Sequence, residues 1–174
     1  MADWIAADGA RSAVIGAVAL AIHGHVRATR DLDLATEIDP AMQLRALSAK
    51  ARAQGWTVDL QMPDQDDPLG GVLTVTGDDF DPVQVVNFHN PFRTSPNPAR
   101  EALIGAVDMH AVPGLKVVRV EELVLLKLYA GGIKGLVDVH ELLEAHPEVD
   151  RAALRGRAAR FGLEREFDRA LDES

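Results

Sequence analysis

The hydrophobic pattern in the first two thirds of the chain predicts short strands separated by turns. The predicted strands are the apolar or alternating segments at 13–15, 31–35, 56–61, 72–76, 83–88 and 116–120. Three helices are predicted among them, at 17–22, 40–54 and 98–104. Asp39 and Asn97 each stand before a proline, which is typical of a helix start. The last three strands before residue 90 follow one another closely and predict a meander that extends the sheet.

From Glu121 onward the spacing of apolar residues becomes helical. The predicted helices lie at 121–130, 135–145, 150–160 and 163–171, interrupted by GGIKG, by His146 with Pro147 and by Gly162. Strands first and helices last predict an α+β fold. We therefore expect a mixed or antiparallel sheet flanked by helices over residues 1–120, and a helical C-terminal part over 121–174 that packs on it.

Composition narrows the possible chemistry. The chain of 174 residues is 47% hydrophobic, which is enough for one well-buried core. It contains no cysteine, so disulfides, thiolate nucleophiles and cysteine-containing zinc sites are excluded. Histidine and carboxylate groups remain as metal ligands, and oxygen ligands favour Mg²⁺ or Mn²⁺. No apolar run is long enough to cross a bilayer and no secretory signal is recognisable, so we expect a cytoplasmic protein without membrane contact.

The charge of the chain bears on its partners. A formal net charge of −9 argues against extensive binding to DNA or RNA, because lysine and arginine supply most non-specific affinity for phosphate. A local exception is the basic cluster of Arg151, Arg155, Arg157 and Arg160. This cluster is either a solvated helix face or a contact for a nucleic acid or an acidic partner.

Two aspartates carry the main chemical signal. Asp31 and Asp33 lie two residues apart on a predicted strand, so their side chains point the same way and can share one divalent ion. They follow a predicted turn at Gly16 and a short helix. Metal-bound carboxylates of this kind suit phosphoryl transfer, in which cations neutralise phosphate oxygens.

Two blocks of sequence resemble a known family. The first, GAVALAIHGHVRATRDLDL, begins at Gly16 and ends with the two aspartates; the second, VEELVLLKLYAGGIKGLVDVHELL, begins at Val120. Together they resemble the nucleotidyltransferase superfamily with the DNA polymerase beta type of fold. Within it the chain is most similar to the minimal nucleotidyltransferases, including the AbiEii-type abortive-infection toxins. The resemblance implies binding of a nucleoside triphosphate with Mg²⁺ and transfer of a nucleoside monophosphate to an RNA or protein hydroxyl, in a toxin–antitoxin or phage-defence setting.

The same resemblance assigns roles to individual residues. Asp31 and Asp33 would bind the metal, and Gln84 stands where the family has a third carboxylate. A glutamine offers a neutral oxygen but cannot act as a general base. Asp59 and Asp81 are the alternatives for that missing acid, although neither is in the expected register. The expected nucleotide-binding residues are Gly16, Ala17, Arg27, Thr29, Arg30 and Lys127, with Ala17 replacing the usual glycine or serine.

Several of these residues have structural alternatives. Arg27 and Arg30 either bind a triphosphate or form ion pairs with nearby acids. Lys127 lies in a very apolar helix, so its ammonium group must extend to solvent, pair with an acid or face a cleft. Asp138 is the predicted partner for it or for Lys134. His23 is expected to make a hydrogen bond at a helix end, because no second histidine is suitably spaced for a metal site.

The function itself has a second interpretation. Without a third carboxylate, the chain is either a slow nucleotidyltransferase or a catalytically degenerate relative that acts as a binding partner or antitoxin. The net negative charge favours the binding partner or antitoxin over a toxin that binds tRNA. A transferase that uses a nucleotide sugar is disfavoured, because such folds usually need a longer parallel sheet. The nucleotide, the acceptor and the oligomeric state stay open.

Overall fold

The computed structural model describes residues 1–172, and the last two residues of the predicted helical part lie outside them. These residues form eight α-helices and seven strands. The helices are α1 (Ala2–Ala7), α2 (Gly16–Ile22), α3 (Arg45–Ala53), α4 (Ala99–Gly105), α5 (Val120–Ala130), α6 (Ile133–Ala145), α7 (Arg151–Arg160) and α8 (Glu164–Asp172). The strands are β1 (Ser12–Ile15), β2 (Leu32–Thr36), β3 (Thr57–Gln61), β4 (Val72–Gly77), β5 (Phe80–Asn87), β6 (Val107–Asp108) and β7 (Lys116–Val117).

All strands belong to one mixed sheet with the order β3-β4-β5-β2-β1-β7-β6. The predicted meander is present, because β3, β4 and β5 pair antiparallel in sequence order. Strand β5 then pairs parallel to β2, and β2 pairs antiparallel to β1. Helices flank this sheet, which confirms the predicted α+β fold class.

Two clusters of buried side chains connect the sheet to the helices. One core cluster joins β1 and β2 to the C-terminal helices, and α5 contributes Leu123, Val124, Leu125, Leu126 and Leu128 to it. The second, smaller cluster joins β4 and β5 to α1 and α3, with Ile5, Leu47 and Leu73 fully or almost fully buried. Burial of such side chains is the main stabilising term in the fold. Among residues 1–172, no helix combines the length and apolar character that a membrane crossing requires.

The structure corrects several predicted boundaries. Strand β2 begins at Leu32, so Asp31 precedes the strand instead of lying in it. The predicted helix 40–54 opens with a π-helical turn, Pro40–Leu44, which Asp39 caps by accepting from the Met42 amide. The predicted strand 116–120 is shorter, because its last residue starts α5. Helix α1 was not predicted; the Trp4 ring stacks on Trp56 with centroids 5.4 Å apart, a tertiary contact that local spacing does not reveal.

Candidate active site

The carboxylate of Asp33 lies directly against the backbone of Gly16. Strand pairing places Asp33 opposite Ile15, the residue before the turn. Gly16 has a φ of +65°, and a Cβ atom built there would lie 1.7 Å from Asp33 Oδ2. Only glycine therefore fits, because it tolerates a positive φ and leaves room for the carboxylate. The expected turn thus brings the chain into contact with one of the two acids.

Asp31 reaches the same place from the loop before β2. Its amide donates to Thr29 Oγ1 over 3.2 Å, and the Thr29 hydroxyl donates back to the Asp31 carbonyl oxygen over 3.3 Å. These hydrogen bonds form a turn that fixes the backbone at Asp31, so Thr29 helps to position Asp31. Both carboxylates line one cleft of about 650 Å³. The same cleft is lined by every site residue expected from the sequence: Gly16, Ala17, Arg27, Thr29, Arg30, Asp31, Asp33, Gln84 and Lys127.

Burial and mutual repulsion disturb the acid pair. Burial is the larger cause and the negative charge of Asp31 the next, and together they raise the pKa of Asp33 from 3.8 to about 6. The positive charges of Lys127 and Arg27 act in the opposite direction. A cation bound between the two carboxylates would relieve this repulsion, so the pair is electrostatically suited to a metal ion.

The donor set of the pair fits a hard divalent cation. Asp31, Asp33 and the amide of Gln84 offer only oxygen or amide groups, and Mg²⁺ is commonly held by one or two carboxylates together with substrate phosphates. Within the described part of the chain, no three histidine or carboxylate side chains converge to form a metal site of their own. The residues present therefore fit a cation that arrives with a phosphate ligand.

Gln84 occupies the position next to Asp33. The parallel pairing of β2 with β5 sets Gln84 directly beside Asp33, and both line the cleft. Asp59 belongs to the same cross-strand row but lies three strands away, about 14 Å at ordinary strand spacing. Asp81 is exposed at the start of β5 and does not line the cleft. Neither alternative acid replaces the missing carboxylate in this structure.

Arg27 and Lys127 share one buried carboxylate. Arg27 Nη1 donates to both Asp138 oxygens over 2.9 and 3.0 Å, and Lys127 Nζ donates to Oδ2 over 2.7 Å. The Asp138 side chain is only 6% exposed. The predicted pairing of Lys127 with Asp138 is confirmed, whereas Arg27 pairs with neither Asp31 nor Asp33. This contact joins the loop before β2 to α5 and α6 and holds the two basic side chains at the cleft.

Two further basic residues face the cleft without a partner. Arg30 is exposed in the loop before β2, and Lys134 is exposed in the first turn of α6. In residues 1–172 neither side chain makes a hydrogen bond or an ion pair, and both line the cleft. The sequence predicts Lys134 and Asp138 only as ion-pair partners and not as residues of the site. Their spacing from Lys127 in the second family-like block was the signal that both lie at the site.

Other candidate residues serve the fold. His23 Nε2 donates to the Val118 carbonyl oxygen over 2.7 Å, so it makes the expected kind of hydrogen bond, but to a segment outside α2. His146 donates to the His23 carbonyl oxygen, and its hydrogen bond to Glu148 is the main cause that raises the pKa of His146. Asn87 faces away from Gln84 and is buried, where its side chain bonds the backbone of Ile38.

The basic cluster on α7 forms ion pairs within this chain. Each of its arginines pairs with an acid of this chain, on α4, α5, α6 or α8. The pairs are Arg151 with Glu144, Arg155 with Glu164 and Asp168, Arg157 with Glu122 and Glu101, and Arg160 with Glu101. Acids distant in sequence therefore neutralise the cluster, while Arg155 and Arg160 stay about half exposed to solvent.

Comparison with family models and with curated protein sequences gives no match. The fold resembles the solution structure of antibiotic-resistance factor ANT(2'')-Ia, with 15% identity and a TM-score of 0.47 over 95% of this chain and 92% of that chain. It also resembles a crystal structure of ANT(2")-Ia in complex with adenylyl-2"-tobramycin, with 14% identity and a TM-score of 0.49 over 89% and 92%. The Megavirus polyadenylate synthase matches at 10% identity and a TM-score of 0.42, over 92% of this chain and 30% of that one. Likenesses of this degree assign neither an activity nor a substrate to this chain.

Proposed function

We propose that this chain is a nucleotidyltransferase-type protein that binds a nucleoside triphosphate together with Mg²⁺ or Mn²⁺ and transfers the nucleoside monophosphate to a hydroxyl group. The observation that carries the proposal is the charge arrangement in the cleft. Two carboxylates, Asp31 and Asp33, lie in one cavity with four basic side chains. A triphosphate with a divalent cation matches this set, because the acids take the cation and the basic groups take phosphate oxygens.

Some residues of the cleft would bind the nucleotide and its cation, and others would position groups beside them. A divalent cation at Asp31 and Asp33 would neutralise charge on the phosphate oxygens. Arg30 and Lys134, which lack partners in residues 1–172, are placed to hold the leaving pyrophosphate. Asp138 holds Lys127 and Arg27 beside them. Gln84 can orient an acceptor hydroxyl by hydrogen bonding but cannot take its proton, so we expect slow transfer.

A second function is favoured by one specific observation. Gln84 takes the place beside Asp33, and no third acid or histidine completes a metal site within the described residues. This favours a degenerate protein that keeps nucleotide binding and serves as a binding partner or antitoxin. The toxin–antitoxin or phage-defence setting of either function is supported by the sequence resemblance alone.

Label transfer separates the two functions. The protein is incubated with each α-³²P-labelled nucleoside triphosphate and Mg²⁺ or Mn²⁺, with and without bulk RNA or protein. Transfer that is lost in the Asp31→Asn, Asp33→Asn double variant supports the enzyme. A Gln84→Glu variant should then raise the rate, because it supplies the missing base. Nucleotide binding without transfer, with Gln84→Glu restoring transfer, would support the degenerate protein instead.

A further inference from the structure

A histidine fastens the end of α2 to the end of α6. His146 is the residue that follows α6, and its Nε2 lies 2.8 Å from the carbonyl oxygen of His23, the residue that follows α2. Its other ring nitrogen, Nδ1, lies 2.7 Å from Glu148 Oε1. The side chain of His146 is only 21% exposed. Both ring nitrogens of this half-buried imidazole therefore have a partner within the chain.

The two partners of His146 determine its protonation state. A backbone carbonyl and an ionised carboxylate are both acceptors, and neither can donate a hydrogen. A neutral imidazole has one N–H group, whereas an imidazolium ion has two. Only the imidazolium form of His146 therefore makes both hydrogen bonds. The His23 ring differs, because within residues 1–172 it makes a single hydrogen bond, from Nε2 to the Val118 carbonyl oxygen, which a neutral ring satisfies.

The groups that surround His146 favour its charged form. The hydrogen bond to Glu148, in the α6–α7 connection, is the main cause that raises the pKa of His146 above its ordinary value of 6.5, while burial acts in the opposite direction. The negative charge of Glu121, in the first turn of α5, also raises this pKa. On the side of α2, the His23 ring meets the His146 ring edge to face, with centroids 6.2 Å apart.

Loss of a proton breaks the contact with α2 and keeps the one with Glu148. An N–H bond to a carboxylate is stronger than one to a neutral carbonyl, so the remaining proton stays on Nδ1. Nε2 then directs a lone pair at the His23 carbonyl oxygen, and two acceptors 2.8 Å apart repel each other. The contact with α2 is therefore complete below about pH 6.5 and is lost as the pH rises through the raised pKa of His146.

This contact lies at the start of the loop that forms one wall of the cleft. The α2–β2 loop, residues 23–31, contributes four residues to the cleft lining besides Ala28: Arg27, Thr29, Arg30 and Asp31. Two further contacts hold the loop to α6, Arg27 with Asp138 and His25 Nδ1 with Glu141 Oε2 over 3.2 Å. Release of His146 removes the attachment at the start of the loop, so the basic groups that follow are held less firmly against α6.

We propose that His146 is a pH-dependent latch, which in its protonated form fastens the α2–β2 loop to α6 and which releases the loop and weakens nucleotide binding as the pH rises. This regulation rests on the proposed function, because it acts on the same cleft. The latch itself does not depend on a bound nucleotide, so its protonation can be measured in the nucleotide-free protein.

The first measurement is an NMR titration of the imidazole ¹⁵N nuclei in the full chain, from about pH 5 to about pH 9. His146→Gln assigns the signals. We expect both nitrogens of His146 to carry a proton at about pH 6.5 and only Nδ1 to carry one at the alkaline end. Glu148→Gln should move the transition to lower pH, because it removes the carboxylate. A ring that is already neutral at about pH 6, or that keeps its proton on Nε2, overturns the latch.

The second measurement is amide hydrogen exchange of the α2–β2 loop, expressed as protection factors so that the intrinsic pH dependence of exchange cancels. Protection in the parent protein should fall about fivefold as His146 loses its proton, the equivalent of one net hydrogen bond. His146→Gln can still donate a hydrogen bond but does not titrate, so it should show no such fall. His110→Gln, an exposed histidine in the β6–β7 connection, is the control and should behave as the parent protein. Equal falls in the parent protein and in His146→Gln overturn the latch.

The third measurement separates the latch from the nucleotide site. A non-hydrolysable nucleoside triphosphate analogue with Mg²⁺ is titrated calorimetrically into the same proteins at each pH. The ratio of the affinity of the parent protein to that of His146→Gln should fall by about fivefold across the transition, because titration of Asp33 affects both proteins alike. A constant ratio overturns the regulation while leaving the nucleotide site intact. Absence of nucleotide binding at every pH, with His146 protonated as expected, overturns the proposed function and the regulation with it.

Discussion

Replacing Asp33 with asparagine should stabilise the folded protein when no divalent cation is present. The carboxylate is held in a partly buried position beside Asp31, and its pKa is raised to about 6. The unfolded chain ionises this group near its ordinary value of 3.8. Ionisation is therefore easier in the unfolded state, and the stability of the fold falls as the pH rises from about 3.8 to about 6. Asparagine has almost the same shape but carries no charge, so the stability of the Asp33→Asn variant does not fall in this way as the pH rises.

The size of the effect follows from the pKa. Each pKa unit corresponds to about 1.36 kcal/mol, so a pKa of about 6 in place of 3.8 gives roughly 3 kcal/mol as an upper value. Because the cleft is open to solvent, screening reduces this, and we take about 1.5 kcal/mol at pH 8. For a chain of this length that difference raises Tm by roughly 3–6 °C.

Urea unfolding of both proteins in the presence of a chelator measures the difference. The asparagine variant should be more stable at pH 8, and its advantage over the parent protein should disappear below about pH 4. Mg²⁺ with a nucleoside triphosphate should stabilise the parent protein and not the variant. A variant that is less stable than the parent protein at pH 8, or an advantage that does not change with pH, would refute the reasoning.

Three other substitutions test the architecture of the cleft. Asp138→Asn leaves Arg27 and Lys127 without a carboxylate and should destabilise the fold by about 2–3 kcal/mol. This is less than the roughly 3–5 kcal/mol expected for a fully buried pair, because Arg27 is partly exposed. A change below about 0.5 kcal/mol in urea unfolding would contradict this contact. Gly16→Ala should cost more stability than Gly24→Ala and should also weaken nucleotide binding. Both glycines have positive φ, but only a Cβ at Gly16 meets the Asp33 carboxylate. Equal losses of stability in the two variants would show that the contact between position 16 and the Asp33 carboxylate does not contribute to the loss.

The acid pair was predictable because its signal is local. The alternation of aspartate and leucine in DLDL identifies a strand with one buried face, and Leu34 is indeed buried. The start of that strand was predicted one residue too early, since strand pairing begins at Leu32. The lysine in the apolar helix α5 was also informative. A buried ammonium group needs a partner, and the neighbouring helix offered Asp138.

Contacts between distant residues could not be predicted in this way. The partner of Arg27 is 111 residues away, and its ion pair depends on how α6 packs beside the loop before β2. The neutralisation of the α7 arginines likewise comes from acids on other helices, such as Glu101 and Glu122. The parallel pairing that places Gln84 beside Asp33 joins two strands that are far apart in the sequence. Local periodicity carries no information about such pairings.

The central claim is that Asp31 and Asp33 hold a divalent cation together with the phosphates of a nucleotide. Calorimetric titration with a non-hydrolysable nucleoside triphosphate analogue, in Mg²⁺ and in chelator, tests it most directly. The account predicts binding to the parent protein only when Mg²⁺ is present. It predicts no binding to the Asp31→Asn, Asp33→Asn variant, whose circular dichroism spectrum must show an intact fold. Binding that is equally strong without a divalent cation, or unchanged in the double variant, would contradict it.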